Sequence, residues 1–430
     1  MFSASFKSNS LPISLDQFRL KALAWADEQP LVAYYNPNSI PYPHNGFEHM
    51  LAVSSAKPVA IDQQNVLQSM QEKLSQPHAL WCGYLGYDLK NQIEKLDSQN
   101  PDGIGFPTAF FFEPEVYFCF NHDHLNIYSS KDNLNFILEQ VLLTPAPVAA
   151  TPEGIQVQQR VTKEKYIAHV EKVKDHIVEG DVYELNYCIE FYAENATLSP
   201  LPLYLALNEA SPTPFSGYLK YNDKYLLCAS PERFLKKEGR ELISQPIKGT
   251  IRRGLTPEED ARLQHQLRHD EKELAENMMI VDLVRNDLSR SCKIGTVQVE
   301  EMFGIYGFKQ VSQMISTITG ELKPEYDLID ALTGTFPMGS MTGAPKISAM
   351  EIIEELEDTK RSLYSGAFGY INPGNDCDFN VVIRSIQYNA SSKYLSFMVG
   401  SAITYDSDPE QEFQECLLKA KAMLKVLGQA

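Results

Sequence analysis

The chain has 430 residues, of which 43% are hydrophobic, and its formal net charge is −18 at pH 7. This length predicts two or three domains, or one large α/β unit with two lobes. The acidic balance argues against nucleic acid or an anionic membrane surface as a partner, and no apolar run approaches the roughly 20 residues that a membrane span needs.

The amino terminus and the cysteines bear on the cellular compartment. Residues 1–15 lack the basic start and the continuous apolar stretch of a secretory signal. The seven cysteines are scattered and form no C-x-x-C pair. We therefore expect a cytoplasmic protein with reduced thiols.

The first part of the chain, residues 1–150, is predicted to form an amino-terminal lobe. Its aromatic, β-rich runs include LWCGYLGYDL (80–89) and TAFFFEPEVYFCF (108–120). A stretch rich in proline and alanine, 142–154, indicates a connection to the remainder, which we take as a second domain over 160–428.

The second domain alternates helices with hairpins. Thr162 is predicted to cap a helix that ends at Gly180, and a strand follows it. Residues 223–237 and 241–250 are predicted to form a hairpin that turns near Gly239, and 379–404 repeats the pattern of strand, turn and strand. This alternation predicts a mixed α/β fold (α+β) with mainly antiparallel sheets.

Two predicted helices carry carboxylates where an apolar stripe begins. Glu273 and Glu276 share one face of the first helix, and Glu412 and Glu415 share one face of the second, which Asp408 can cap. The acids fit the positive end of a helix dipole or a solvated rim. Two such helices together also fit a hard-cation site, where all-oxygen ligands favour Mg²⁺ over zinc.

Other segments are suited to bind anions. The loop FPMGSMTGAP (336–345) is predicted to lead into a helix near Ala344 or Pro345, where free N–H groups can hold a carboxylate or phosphate, or simply form a tight turn. Arg384 is predicted on a strand with its side chain in the packed interior, facing an anion or a structural salt bridge. VGSAIT (399–404) suggests a second small-residue turn. Together with a metal, these features predict a Mg²⁺-assisted enzyme acting on a small acid.

Lys248 ends a short apolar strand in QPIKGTIRRG (245–254), beside a glycine that allows close approach. Its amine can be a solvated charge, an anion ligand or a nucleophile. A nucleophilic lysine must be neutral, and we expect enclosure to lower its pKa.

Several segments together resemble the chorismate-utilising enzymes and, within that family, the aminodeoxychorismate synthases. They lie in the family's order over residues ~160 to 425 and include GDVYELNY, SPERFL, PIKGT, LAENMMIVDLVRNDLSR, FPMGSMTGAPKISAMEII, YSGAFGYI, VVIRSI and DSDPEQEFQE. The resemblance implies a two-lobed fold of large sheets packed face to face with helices outside. It implies Mg²⁺ on Glu276 and Glu415, supported by Glu273 and Glu412.

The resemblance also implies roles for the remaining positions. The carboxylates and ring of chorismate are expected to be held by Gly249, Thr250, Thr342, Tyr370, Arg384, Gly400, Ser401 and Lys419. Lys248, where anthranilate-forming relatives typically have alanine, is expected to add to C2 of chorismate while the C4 hydroxyl departs, before ammonia attacks C4. Glu232 is expected to protonate the leaving hydroxyl, unless it only pairs with Arg233 or Lys236.

Three positions depart from the family pattern. Glu184 stands where water-activating relatives carry lysine, which argues against water as the nucleophile. Gln313 stands where relatives commonly have histidine, and a glutamine cannot titrate. Ala402 replaces a usual glycine.

No cysteine lies in a glutaminase context, so the resemblance implies ammonia from a separate glutamine amidotransferase subunit. The expected product is 4-amino-4-deoxychorismate, for p-aminobenzoate and folate. The alternatives are an anthranilate synthase component I and a non-catalytic chorismate-binding subunit.

Overall fold

The structure is a computed structural model that describes residues 1–429. Its helices are α1 (Leu15–Asp27), α2 (Val66–Leu74), α3 (Lys90–Ile93), α4 (Leu134–Leu143), α5 (Lys163–Glu179), α6 (Pro200–Ala210), α7 (Pro257–Arg268), α8 (Glu271–Ser291), α9 (Leu328–Thr335), α10 (Lys346–Leu356) and α11 (Pro409–Val426). Its strands are β1 (Phe2–Lys7), β2 (Leu31–Asn36), β3 (Met50–Ser54), β4 (Trp81–Leu85), β5 (Ala109–Phe112), β6 (Val116–Phe120), β7 (His124–Ser129), β8 (Gln158–Gln159), β9 (Glu184–Ala193), β10 (Phe215–Tyr221), β11 (Lys224–Ser230), β12 (Arg233–Glu238), β13 (Glu241–Gln245), β14 (Ile247–Arg252), β15 (Gln298–Gly307), β16 (Val311–Glu321), β17 (Gly343–Ala344), β18 (Ala367–Ile371), β19 (Cys377–Val381), β20 (Ser385–Asn389) and β21 (Tyr394–Ile403).

The strands of residues 1–429 form two antiparallel sheets. The large sheet has 12 strands in the order β1-β7-β6-β3-β2-β10-β11-β20-β21-β9-β17, with β8 beside β9. The small sheet has 9 strands in the order β14-β16-β13-β12-β19-β18-β4-β5, with β15 beside β16.

The two sheets lie face to face between helices. One apolar cluster fills the space between the sheets and includes Tyr35 and Phe215 of the large sheet and Phe368 of the small one. A second cluster joins the large sheet to α1, α4, α5, α6, α10 and α11, and a third joins the small sheet to α2, α8 and α9. The expected mixed α/β fold, with large antiparallel sheets face to face and helices outside, is confirmed.

Strands from the first 150 residues enter both sheets. In the large sheet β2 pairs with β10, and in the small sheet β4 pairs with β18. The predicted boundary near residue 150 falls in the segment between α4 and β8. The amino-terminal segment is therefore continuous, through hydrogen bonds, with the part of the chain that carries the predicted site.

The helices that carry the predicted acids form for local reasons. Asp270 caps α8 by accepting a hydrogen bond from the backbone N–H of Glu273, and Asp408 caps α11 in the same way, with Pro409 in the first turn. Thr162 caps α5, which ends at Gly180 in the left-handed conformation (φ 88°). The predicted caps at Thr162 and Asp408 and the predicted helix end at Gly180 are confirmed.

Residues 223–237 do not form the single strand that the sequence predicts. Pro231 and Glu232 interrupt it, so that β11 belongs to the large sheet and β12 to the small one. Proline has a fixed φ and no N–H to donate, which ends the first strand. The predicted turn at Gly239 is present between β12 and β13. Residues 379–389 divide in the same way, because β19 lies in the small sheet and β20 in the large one.

Candidate active site

Two of the connections that carry the chain from one sheet to the other, β11 to β12 and β19 to β20, lie side by side. The backbone N–H of Val381 donates to the carbonyl of Glu232 (3.0 Å), and that of Ala229 donates to the carbonyl of Arg384 (3.1 Å). The sheet ladders are interrupted there, so side chains of these connections can face the space between the sheets. Glu232 and Arg384, 152 residues apart in sequence, are brought together by this arrangement.

Arg384 does not lie in a regular strand, so its predicted strand position is wrong. Its backbone is left-handed (φ 49°) in the bend between β19 and β20. Burial lowers the pKa of its guanidinium, and Glu232 is the charged group among residues 1–429 that opposes this. No ion pair satisfies Arg384 in the described chain, so its donors are available to an anion.

Glu232 is buried with one strong partner. Ser340, in the loop before β17, donates its hydroxyl to Glu232 Oε1 (2.7 Å). Burial raises the pKa of Glu232 to about 7, against the opposing effects of Ser340, Lys248 and Arg384. The carboxyl can therefore carry a proton near neutral pH.

The alternative that Glu232 merely pairs with a neighbouring cation is wrong. Arg233 forms two hydrogen bonds of 2.9 Å to Asp378, and Lys236 pairs with Glu238 (2.6 Å). Both cations are engaged elsewhere.

Lys248 lies on β14 with its amine inside the site. Its side chain is 14% exposed, and its Nζ lies 3.6 Å from Oε1 of Glu184 on β9. Asn277 of α8 donates to the Lys248 carbonyl (3.3 Å) and accepts from Ser316 of β16 (2.7 Å). Asn277 thus fixes the backbone that carries the amine.

The expected lowering of the Lys248 pKa is wrong in this structure. Burial acts to lower it, but the carboxylates of Glu184, Glu276, Glu415 and Glu232 outweigh burial and raise the pKa. The amine is therefore an ammonium beside four acids. A divalent cation on Glu276 and Glu415 would offset two of these four carboxylates.

The acids of α8 and α11 meet beside Lys248. Burial and the neighbouring charges of Glu276 and Glu415 raise the pKa of Glu273 to about 7. Burial also raises the pKa of Glu276, which Lys248 and Lys272 oppose. The pKa of Glu415 is lowered, because Lys419, with its Nζ 2.7 Å away, outweighs burial. Like charges are held together at this point, and a cation relieves such repulsion.

Glu412 is fixed more firmly than the other three acids. It is buried and accepts hydrogen bonds from the hydroxyls of Ser401 and Ser407 (2.9 Å for Ser407). Ser401 therefore lies beside the acids, and its hydroxyl is engaged by the Glu412 carboxylate.

The donor set fits Mg²⁺ but does not form a closed cage. Within residues 1–429, the only group of three potential ligands whose atoms converge within 4.8 Å is His176, Glu179 and Asp181, at the end of α5. Mg²⁺ commonly keeps several waters and needs one or two carboxylates from the protein. Glu276 and Glu415, on facing helices, suit that mode of binding.

Gly249 and Thr250 lie against the same acids. Gly249 has a left-handed backbone (φ 93°), and a Cβ at that position would lie 3.3 Å from Glu273 Oε2. Thr250 is exposed to the site, and its hydroxyl lies 3.5 Å from Gln313 Nε2. The side-chain amide oxygen of Gln313, Oε1, is buried without a hydrogen-bond partner in the described chain.

Thr342 lies in the same loop as Ser340, but its hydroxyl forms its hydrogen bond within that loop. It is fully buried and donates to the carbonyl of Met338 (3.2 Å), while its own carbonyl accepts from Asn186 N–H (2.8 Å). The helix after this loop begins at Lys346, close to the predicted start.

Tyr370 lies away from the helix acids, whereas Gly400 lies next to Lys419 but within a strand. Tyr370 packs between the sheets against Tyr35 and Phe47, and its hydroxyl accepts from the N–H of Glu48. Gly400 lies within β21 opposite Cys188, so the predicted turn at 399–404 is wrong, and Ala402 is likewise a strand residue. A Cβ at Gly400 would overlap Cys188 Sγ. The Gly400 carbonyl accepts from Lys419 Nζ (2.9 Å).

The sequence did not reveal the importance of Asn277 and Ser340. Asn277 had a weak signal, as a polar residue in an apolar helix stripe beside Glu276. Ser340 was visible only as one more small residue of a glycine-containing loop, since its partner Glu232 is 108 residues away.

The chain is similar to known proteins over most of its length. Residues 29–425 match the family model described as chorismate binding enzyme. Anthranilate synthase component 1 of Thermus thermophilus is 37% identical over 359 residues, covering 81% of this chain and 77% of the relative. Aminodeoxychorismate synthase component 1 of Bacillus subtilis is 35% identical over 360 residues, covering 80% and 76%.

A solved structure shares the architecture. The crystal structure of anthranilate synthase component I from Streptococcus pneumoniae TIGR4 superposes with a TM-score of 0.75 at 29% identity, covering 92% of this chain and 90% of that one. The family match begins at residue 29 and so covers most of the amino-terminal segment, whereas the matching motifs lie after residue 160. Separately, none of the helices within residues 1–429 has the length and apolar character needed to cross a membrane.

Proposed function

The chain belongs to the chorismate binding enzyme family, and on that premise we propose that it aminates chorismate with ammonia to 4-amino-4-deoxychorismate. The observation that carries the proposal is the position of Lys248. Its amine lies inside the site, 3.6 Å from Glu184 and beside the acids of α8 and α11. An amine in that position supports covalent catalysis.

In the proposed reaction the side chains act in two steps. Lys248 loses a proton, for which Glu184 is the nearest carboxylate, and its lone pair forms a bond to C2 of chorismate. Both conjugated ring double bonds shift by one position, the C4–O bond breaks, and Glu232 gives its proton to the departing hydroxyl, which leaves as water. Ammonia then bonds to C4, the double bonds shift back, and the C2–N bond breaks with its electron pair returning to Lys248.

The other site residues bind and orient the substrate. A Mg²⁺ ion on Glu276 and Glu415, with Glu273 and Glu412 nearby, would supply a positive charge for the ring carboxylate. The guanidinium of Arg384 would hold a second carboxylate. Gly249, Thr250 and Lys419 lie beside the acids and remain candidate substrate contacts. Thr342, Tyr370, Gly400 and Ser401 would act indirectly, through the loop and strand positions that they maintain.

Formation of anthranilate is the competing function. Relatives of both kinds are similarly close, at 37% and 35% identity. Lys248 favours amination without aromatisation, because anthranilate-forming members of this family typically carry alanine at this position. A non-catalytic chorismate-binding subunit is disfavoured by the simultaneous presence of Lys248, Glu232 and the four helix acids.

The decisive experiment incubates the chain with chorismate, Mg²⁺ and an ammonium salt and identifies the product by mass spectrometry. We expect 4-amino-4-deoxychorismate, which retains the enolpyruvyl group. Fluorescent anthranilate would instead establish the competing function, and isochorismate would mean that water is the nucleophile. Binding of chorismate without turnover would support the non-catalytic subunit.

The product and the relatives suggest the cellular setting. Relatives named component 1 imply a second component, and we propose a separate glutamine amidotransferase as the source of ammonia. The product would feed p-aminobenzoate and folate synthesis in the cytoplasm. The seven cysteines are free, which is compatible with that compartment.

A further inference from the structure

A lysine of the chain reaches the acids on which Mg²⁺ is expected. Lys272 lies in the first turn of α8, and its Nζ is 3.7 Å from Glu276 Oε1 and 3.5 Å from Glu412 Oε1. The ammonium therefore bridges the facing ends of α8 and α11. Its side chain is 58% exposed, whereas that of Glu412 is only 3% exposed.

The acids at this point cannot relieve their repulsion by moving apart. Glu412 is held by the hydroxyls of Ser401 and Ser407, and the backbone of α8 is tied to β14 by Asn277. Glu273, Glu276 and Glu415 act on one another through their charges. A positive charge between the helices is therefore stabilising, and Lys272 supplies one.

Lys272 remains a cation in these surroundings. Burial acts to lower its pKa, but the carboxylates of Glu412, Glu276 and Glu415 outweigh it and raise the pKa. Its long side chain is mostly in solvent, so the ammonium can leave the acids by rotation about its own bonds. A divalent ion that binds Glu276 would be repelled by an ammonium 3.7 Å from the same oxygen.

We propose that Lys272 is an internal counter-cation that competes with the divalent ion and so sets the affinity of the carboxylate site. Binding of the ion to Glu276 displaces the Lys272 ammonium into solvent, and loss of the ion allows it to return. The identity of the ion as Mg²⁺ rests on the proposed function. The competition itself rests on the two distances and on the fixed position of Glu412.

The test measures binding of Mn²⁺, as a paramagnetic substitute for Mg²⁺, to the full chain without chorismate. Lys272→Met is expected to bind Mn²⁺ about three- to tenfold more tightly than the unmodified chain, since two partly exposed ion pairs no longer compete. Lys272→Arg keeps the charge and is expected to bind as the unmodified chain does. The control Lys163→Met removes a lysine that pairs with Glu410, also in the first turn of α11 (2.7 Å), and should leave Mn²⁺ affinity unchanged.

Thermal unfolding gives a second, independent measurement. Without divalent ions, Lys272→Met should unfold at a lower temperature than the unmodified chain, and Mg²⁺ should raise its midpoint by more. Equal or weaker Mn²⁺ binding by Lys272→Met, an equal gain in Lys163→Met, or no Mn²⁺ binding by any of the chains would overturn the proposal. Product formation is measured separately, so a chain that forms no aminated product would refute the proposed function without altering the binding comparison.

Discussion

Glu232 and Arg233 are consecutive residues, yet they belong to two differently built regions. Arg233 is completely buried and satisfied: it pairs with Asp378, donates to Gln245 Oε1 (2.6 Å) and to the carbonyl of Asn45 (2.6 Å), and lies over the ring of Phe215. We call the group around it the Arg233 network. It joins strands of the small sheet to the loop after β2.

The region around Glu232 contains buried polar groups that lack close hydrogen-bond or ion-pair partners, and we call it the unsatisfied region. Arg384 has no carboxylate partner, one oxygen of Glu184 is buried without a hydrogen bond in the described chain, and the ammonium of Lys248 has its nearest acid at 3.6 Å. Buried polar groups in proteins are normally paired, and exceptions require an explanation. The contrast indicates that the Arg233 network stabilises the fold and that the unsatisfied region binds a ligand.

The largest expected effect is on the unsatisfied region. Lys248→Met should lower the rate of amination at least about 1,000-fold, because the proposed covalent bond cannot form. The circular dichroism spectrum should be retained. Lys421→Met, which removes an exposed lysine from α11, is the control and should retain activity. Undiminished amination by Lys248→Met would remove the nucleophile from the mechanism.

Substitutions in the Arg233 network should lower the free energy of unfolding. Arg233→Met should lower the free energy of unfolding by about 3–5 kcal/mol, because it leaves the charge of Asp378 buried and unpaired. Urea denaturation measures this, and the double variant with Asp378→Asn should recover part of the loss. A loss of less than about 1 kcal/mol would mean that the network contributes little to the fold.

Glu232 should impose a pH dependence on activity. Its pKa is raised to about 7 by burial, and the acid form is the one that donates, so the rate should fall as the pH rises above about 7. Glu232→Gln should lower the rate about 100- to 1,000-fold and abolish this fall. Ser340→Ala should move the fall to higher pH, because the Ser340 hydroxyl stabilises the carboxylate. A fall that persists in Glu232→Gln would assign it to another group.

Arg384 offers the sharpest contrast with Arg233. Arg384→Met should raise the KM for chorismate about 10- to 100-fold, because a charged hydrogen bond to the substrate is lost. The free energy of unfolding should not fall, since Arg384 has no acid to leave unpaired. A marked loss of stability with an unchanged KM would make Arg384 a structural residue like Arg233.

The smallest expected effect lies in the strand next to the site. Gly400→Ala should lower the free energy of unfolding by about 1–3 kcal/mol, because its Cβ would overlap Cys188 Sγ and lie 3.0 Å from the Tyr187 carbonyl. Gly374→Ala is the matched control, since a Cβ there meets nothing within 4 Å. Equal unfolding midpoints for the two variants would show that β9 and β21 adapt without cost.

Several elements could be predicted from the sequence because their signals are local. The caps Thr162 and Asp408 and the turn at Gly239 depend on residues within one turn of each other, and all three are present. Predictions of where strands end and turns begin were less successful. Arg384 was predicted in a strand and lies in a bend, and Gly400 was predicted in a turn and lies within β21. The local sequence does not reveal where a chain bends between sheets or where a strand continues through small residues.

The sequence by itself determined the family, the antiparallel α/β fold and the acidic helix starts, since these are encoded in short-range patterns and ordered motifs. Only the tertiary structure decided which charges face one another. The bends at Glu232 and Arg384 bring together segments about 150 residues apart. Around Lys248 they add Glu232 to Glu184 of β9, Glu276 of α8 and Glu415 of α11. That convergence raises the pKa of Lys248 where burial alone would lower it, because the electrostatic energy of a group depends on distances through space and not on its neighbours along the chain.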